Sequence, residues 1–254
     1  MEEGIYKSDN TYAFNFEHDD ITDIISLAGT KLYKSNIGDN IYWFGYKFND
    51  SVNRKERSNF IDWIKGLLDN KPTEQQYEQI ISRPLNLLYR ENVIPDIDLV
   101  VSPRSERSEL VSKIISIFDR MLPHGIPRTS TELIKNANKD VEFDWDVFNN
   151  DFTGNGKQYK DVRNYIETEL LPKIHNGTYF SIGKDVKVKY HKYIKNYLIA
   201  PKSTVEKIKN VEDRSILIID DINTTKATID EMLRIIKSIN PACSIFIFTL
   251  IGKE

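Results

Sequence analysis

At 254 residues with 40% hydrophobic and 11% aromatic content, the chain can bury a sizeable core, which excludes a disordered polymer. A formal net charge of -3 gives no global attraction to nucleic acid or to an anionic membrane. The single cysteine, Cys243, cannot close a disulfide within the chain; it stands in an apolar run and reads as a small core residue, suited to a reducing compartment. The opening Met1-Glu2-Glu3-Gly4-Ile5 lacks a basic and then apolar leader, and no apolar run reaches membrane-spanning length. A soluble, cytoplasmic protein is therefore expected. The four histidines (His18, His124, His175, His191) are scattered and carry no zinc-ligand spacing.

The first fifty residues read as β-rich, with the partly alternating Thr11 to Phe16 and the aromatic Ile41 to Phe48. Asn36 to Asn40 between Leu32-Tyr33 and that run is a hairpin loop. Ser58 to Leu68 places Phe60, Ile61, Ile64, Leu67 and Leu68 at helical spacing, and Thr73-Glu74-Gln75-Gln76 opens a second helix toward Tyr89 with a capping box. Pro84 inside that helix predicts a kink or break. From Pro95 the character changes: Ile97 to Val101 is a β-branched run, Ser102 to Ser108 a polar loop, and Leu110 to Met121 an amphipathic helix, the opening unit of an α/β sheet. Residues 123–178 mix turn formers with aromatics (Phe143, Trp145, Phe148, Phe152, Tyr159), and Asp161 to Leu171 reads as helical. The basic, aromatic stretch Tyr179 to Tyr197 alternates with period two, which suggests a strand or hairpin with one lysine-lined face. At the end, Ser215 to Ile219 is a buried-type strand, Ala227 to Ile239 a helix and Ser244 to Leu250 another buried strand, a β-α-β unit with two parallel strands. The chain divides into an N-terminal α+β extension, 1–93, and an α/β core, 94–254, with an insertion at about 123–178.

Chemistry concentrates where the first of those last two strands ends. Four apolar residues, Ile216 to Ile219, are followed by Asp220 and Asp221, then by Ile222, Asn223, Thr224, Thr225 and Lys226, and Ala227 and Thr228 open the helix. Ligands of open α/β sheets bind at this carboxyl edge. The helix start offers unpaired N–H groups and a positive dipole end to a phosphate, and Thr224, Thr225 and Thr228 add hydroxyl donors. The acid pair suits ribose hydroxyls or the water shell of Mg²⁺. A capped helix after a core strand with two surface acids is the bland alternative.

This stretch resembles the signature for 5-phosphoribosyl-1-pyrophosphate (PRPP) in type I phosphoribosyltransferases: an apolar strand, two acids, two variable residues, then Thr-Thr-Gly-x-Thr. Every position from Ile216 to Thr228 matches except the glycine, replaced by Lys226. Lysine there either narrows the phosphate cradle, leaving a degenerate site, or sets an ammonium on the 5-phosphate. The resemblance implies a Rossmann-like, mostly parallel sheet, with an N-terminal hood that recognises the acceptor. It implies Asp220 and Asp221 as catalytic acids that also hold Mg²⁺ through water, and 222–228 as the PRPP loop. It further implies Ser102, Pro103, Arg104, Ser105, Glu106 and Arg107 as the pyrophosphate loop, whose arginines suit phosphate oxygens; a solvated arginine loop is the alternative. Lys187, Lys189 or Lys192 could add phosphate contacts, with an exposed basic face at least as good a reading. Pro103 to Ser108 with Arg128-Thr129 is similar to the competence-associated ComF-like branch, and the diverged hood is similar to phosphoribosyltransferase-like proteins of prokaryotic and phage conflict systems such as retron cassettes.

Three functions follow as expectations. The first is an active Mg²⁺-dependent phosphoribosyltransferase acting on a nucleobase-like acceptor. The second is a non-catalytic effector that senses PRPP or a nucleotide and acts through a homodimer or protein partner held by residues 1–90. The third and weakest is a nucleic-acid module using Tyr190, Tyr193, Tyr197 and the lysines, against which the net charge speaks.

Overall fold

The structure is a computed structural model that describes residues 3–8, 11–15, 23–27, 31–91, 97–105, 108–122, 129–136, 138–177, 180, 182–211, 215–223 and 226–253. The N-terminal region supplies strands β1 (Glu3–Ser8), β2 (Thr11–Asn15), β3 (Ile25–Leu27), β4 (Tyr33–Ile37) and β5 (Asn40–Phe48), then helices α1 (Arg54–Ile64) and α2 (Glu74–Arg90). The expected β4–β5 hairpin forms through the two-residue turn Gly38-Asp39, with Gly38 at φ +57° as a short hairpin of this hand needs. Strand β6 (Ile97–Pro103), helix α3 (Leu110–Met121) and strand β7 (Thr129–Lys135) follow, and the chain ends in β11 (Ser215–Ile222), α9 (Ala227–Ile239) and β12 (Ser244–Gly252). Between them lie β8 (Glu142–Phe143), α4 (Trp145–Asp151), α5 (Gly156–Asn164), a π-helical turn Tyr165–Leu170, α6 (Leu171–Asn176), α7 (Ile182–Asp185), β9 (Ile194–Lys195), β10 (Leu198–Ile199) and α8 (Lys202–Lys209).

Five strands, β7, β6, β11, β12 and β5, pair in parallel in that order, and antiparallel strands extend both sides. The fold is thus α/β with a large central sheet whose middle is parallel, compatible with a Rossmann-like architecture. Strand β11 lies at the centre, paired with β6 on one side and β12 on the other. Its side chains alternate between two cores: Leu217 and Ile219 face α1, α2 and α3, while Ile216 and Ile218 face α8 and α9. Each such buried Ile or Leu contributes about 1.5–3 kcal/mol, so the register of β11 is firmly set. The boundary drawn at 93/94 falls among residues outside those described, and the region before it shares the sheet, since β5 runs parallel to β12 from Ile41↔Phe246 to Lys47↔Gly252.

Two local expectations are corrected. The first helix spans Arg54–Ile64 rather than Ser58 to Leu68, because Asn53 and Glu56 form a capping box upstream and Gly66 at φ +71° closes the helix early. The basic stretch is no lysine-faced hairpin. It folds as α7, a 3-10 turn Val188–Tyr193 and the two-residue strands β9 and β10. The three-residue spacing of Tyr190 and Tyr193 carries both rings into the core, and this overrides the period of two.

Pro84 does not break α2, which runs on from Glu74 to Arg90. Proline cannot donate to the carbonyl four residues back, that of Ile80. The Tyr46 hydroxyl of β5 donates to that same carbonyl at 3.0 Å. Gly45 beside it leaves room for the ring, since a Cβ there would stand 2.5 Å from Pro84 Cβ. Tyr46→Phe should therefore destabilise the protein by about 1–3 kcal/mol, by leaving a buried carbonyl unpaired. Adding Pro84→Ala, which restores the helix N–H, should suppress most of that loss in denaturant unfolding.

Candidate functional site

Because β11 is buried along both faces, whatever follows its last apolar residue is delivered to the carboxyl edge of the parallel block. Asp221 continues the side of Leu217 and Ile219, toward α1; Asp220 continues the side of Ile216 and Ile218. Both acids are buried, and both line a cavity of about 250 Å³ together with Ile222, Asn223, Lys226, Ala227 and Thr228. Pro103, Arg104 and Ser105 at the end of β6 line the same cavity. Two segments 115 residues apart, picked out separately in the sequence (from Ser105 to Asp220), thus meet over one space.

The acids are tightly held. The Asp221 amide donates to Asp220 Oδ1 at 2.8 Å, and the Ile222 amide to Asp221 Oδ1 at 2.6 Å. Lys65, the residue capping the C-terminus of α1, places its ammonium 2.8 Å from Asp221 Oδ2. Burial, and next the charge of Asp221, push the Asp220 carboxyl up to about 7, with Lys65 offsetting part of the rise. Burial works to lower the Lys65 ammonium, but the Asp221 carboxylate outweighs it and holds the lysine above its ordinary value.

The start of α9 explains the glycine of the resembling signature. Lys226 is the N-cap and sits at φ +61°, ψ -9°, in the left-handed region. A non-glycine residue there costs roughly 1–2 kcal/mol. The turn is held by the Asn223 side chain, whose Oδ1 accepts from the Lys226 amide at 2.8 Å, and by the Asn223 amide, which donates to the Ile251 carbonyl at 2.9 Å. Underneath lies a buried hydroxyl pair, Tyr42 of β5 and Thr249 of β12, 2.8 Å apart, with Thr249 donating on to the Ile251 carbonyl at 3.1 Å.

Several expected residues stand elsewhere. Ser102 is fully buried and lines a separate open cleft with Ser112 and Ser116 beside α3, so it does not join the Asp220 cavity. Lys187 and Lys189 border a surface groove with Tyr165 and Tyr190, and Lys192 bonds Asp151 at 2.7 Å; none lines the site. Glu106, Arg107, Thr224, Thr225 and Arg128 lie outside the described residues. The cavity also contains residues that the sequence reading passed over: Lys65, Lys135, Asn136, Phe180 and Leu198. Nothing local flags Lys65, since its role appears only when α1 packs beside β11. Tyr197, considered for base stacking, lines the cavity as well, and burial pushes its hydroxyl well above the ordinary value.

A magnesium ion bound directly to Asp221 would have to share its oxygens with groups already there. Asp221 is already engaged by an ammonium on one oxygen and an amide on the other. Among the described residues no group of three or more His, Cys, Asp or Glu is placed to hold a metal, and no helix is long and apolar enough to cross a membrane. No protein-family model matches the chain, and no curated protein matches it.

Two outcomes follow. Lys226→Gly should raise stability by about 1 kcal/mol in denaturant unfolding, by removing the left-handed strain. Asp220 binds its proton more tightly folded than unfolded, so its contribution to stability falls as pH rises from about 4 to about 7. Asp220→Asn should accordingly melt higher relative to the wild type at pH 8 than at pH 5.

Proposed function

We propose that the chain is a phosphoribosyltransferase-like protein whose cavity takes PRPP and transfers phosphoribose to or from a nucleobase-like acceptor, with pyrophosphate as leaving group. The observation that carries this reading is the convergence of the acid pair, the start of α9 and the Pro103–Ser105 loop on one cavity. The first-turn amides of α9 suit the 5-phosphate, because they stand at the positive end of the helix, and the Thr228 hydroxyl lines the cavity beside them. The acid pair suits the two ribose hydroxyls. Asp220, poised near neutrality, can accept from one hydroxyl or donate to it. Arg104 is more than half exposed and borders the cavity from the β6 side, where it can meet the pyrophosphate.

In the reaction the bond from C1 of the ribose to the pyrophosphate oxygen breaks, a bond from C1 to an acceptor nitrogen forms, and the acceptor's proton is released. The chain's share is to hold the two ends of PRPP apart and to place carboxylates near a ribosyl centre that becomes positive. Magnesium enters in this reading as the counter-ion that PRPP carries on its pyrophosphate, in keeping with the preference of Mg²⁺ for phosphate oxygens.

A second reading keeps the ligand and drops the turnover: a PRPP- or nucleotide-sensing effector of a prokaryotic or phage conflict system, working through a partner on residues 1–90. It is favoured by the prior engagement of Asp221 with Lys65. The nucleic-acid reading is weakened, since Tyr190, Tyr193 and Tyr197 are largely buried and offer little open ring face to bases. Calorimetry with PRPP and Mg²⁺ should give a saturable heat for the wild type that Asp220→Asn/Asp221→Asn abolishes, a loss of about a hundredfold or more in affinity for two charge-assisted contacts. Equal heats in the two proteins contradict the reading. Pyrophosphate release with a set of nucleobases then separates enzyme from sensor.

A further inference from the structure

Lys65 reaches the acids from outside the motif, and its presentation is built. Helix α1 closes with paired bonds from the Gly66 amide to the Trp63 carbonyl and from the Leu67 amide to the Asp62 carbonyl, each 2.9 Å. That closure needs a left-handed residue after the cap, and Gly66 supplies it at φ +71°. Trp63 and Ile64, immediately before the cap, are buried in the core under β11, which fixes the rotation of the helix end. Lys65 is thereby held at the mouth of the cavity, its side chain 26% exposed against 9% for Asp221. An ammonium on a long flexible stem would ordinarily wander into water; here one carboxylate oxygen and a rigid helix end hold it over the buried acids.

A divalent ion bound to Asp221 would have to sit about 2 Å from the same oxygen. The ammonium already stands 2.8 Å from it, so a divalent ion there would face a positive charge at close range. We propose that Lys65 is the resident cation of the acid pair: it neutralises Asp221, keeps divalent metal off these carboxylates and orients Asp221 toward the cavity. Lys65 is thus a positioning residue, and the acids receive a ligand's hydroxyls without a metal bridge. This inference concerns the charge at the pair alone, so it holds or fails whether or not PRPP is the ligand.

The test uses Mn²⁺ alone as probe, with the free ion followed by electron paramagnetic resonance. The wild type should show no saturable site at Asp221. Lys65→Gln should gain one Mn²⁺ site, about tenfold or more tighter than any in the wild type, because the two carboxylates then lack a counter-charge. Lys65→Gln/Asp221→Asn should lose that site, and Lys65→Arg should behave as the wild type. Where Lys65→Gln is poorly stable, thermal melting gives the same answer: Mn²⁺ should raise its melting temperature and leave that of the wild type unchanged. The double variant, freed of an unpaired buried carboxylate, should also melt above Lys65→Gln. A wild type that binds one Mn²⁺ in a manner abolished by Asp221→Asn overturns the proposal. So does a Lys65→Gln protein that neither binds Mn²⁺ nor is stabilised by it.

Discussion

The central constraint on this molecule is a strand that cannot move. β11 pairs on both sides and is covered on both faces, and its eight residues carry two carboxylates near the end. Burying a carboxylate costs several kcal/mol even after the surroundings relax. The apolar part of the strand can bear this, but only if the charge is met. The structure meets it in two ways. Asp221 receives an ammonium, and Asp220 shifts toward its protonated form. The same immobility brings the acids to the carboxyl edge, beside the first turn of α9.

The N-terminal region is part of this arrangement. β5 lies against β12 and brings Tyr42 under the site, where its hydroxyl meets Thr249. One residue further along the inward pleat, Phe44 packs with Tyr33 and Tyr42 in the α9-side core, while Tyr46 repairs the gap that Pro84 leaves in α2. α1 presents Lys65. A segment that reads as a separate hood in the sequence therefore supplies a strand to the sheet and a charge to the site.

Legibility in the sequence followed the range of the forces involved. The β-α-β unit at the end was readable because apolar runs, a helical stripe and an Asn-Pro break are local, and the structure has β11, α9 and β12 where they were expected. The acid pair and the Pro103–Ser105 loop were readable from their order along the chain. Lys65 was not, since only tertiary packing brings a helix end to Asp221. Ser102 opens on a different cleft because strand alternation turns it to the α3 side, a fact visible only once Val100 and Ser102 are known to share a face. The middle region failed for a related reason: Phe143, Trp145, Phe148, Phe152 and Tyr159 cluster with Tyr193 through contacts far apart in the chain, and their spacing matches no single period.

The account's central claim is that this edge of the sheet is a seat for a phosphorylated sugar. A crystal structure of the protein soaked with ribose 5-phosphate tests it most directly. The account predicts the phosphate on the first-turn amides of α9, with the ribose hydroxyls toward Asp220 and Asp221. Ribose 5-phosphate bound elsewhere, with Lys65 and the two carboxylates undisturbed and the start of α9 bare, would contradict it.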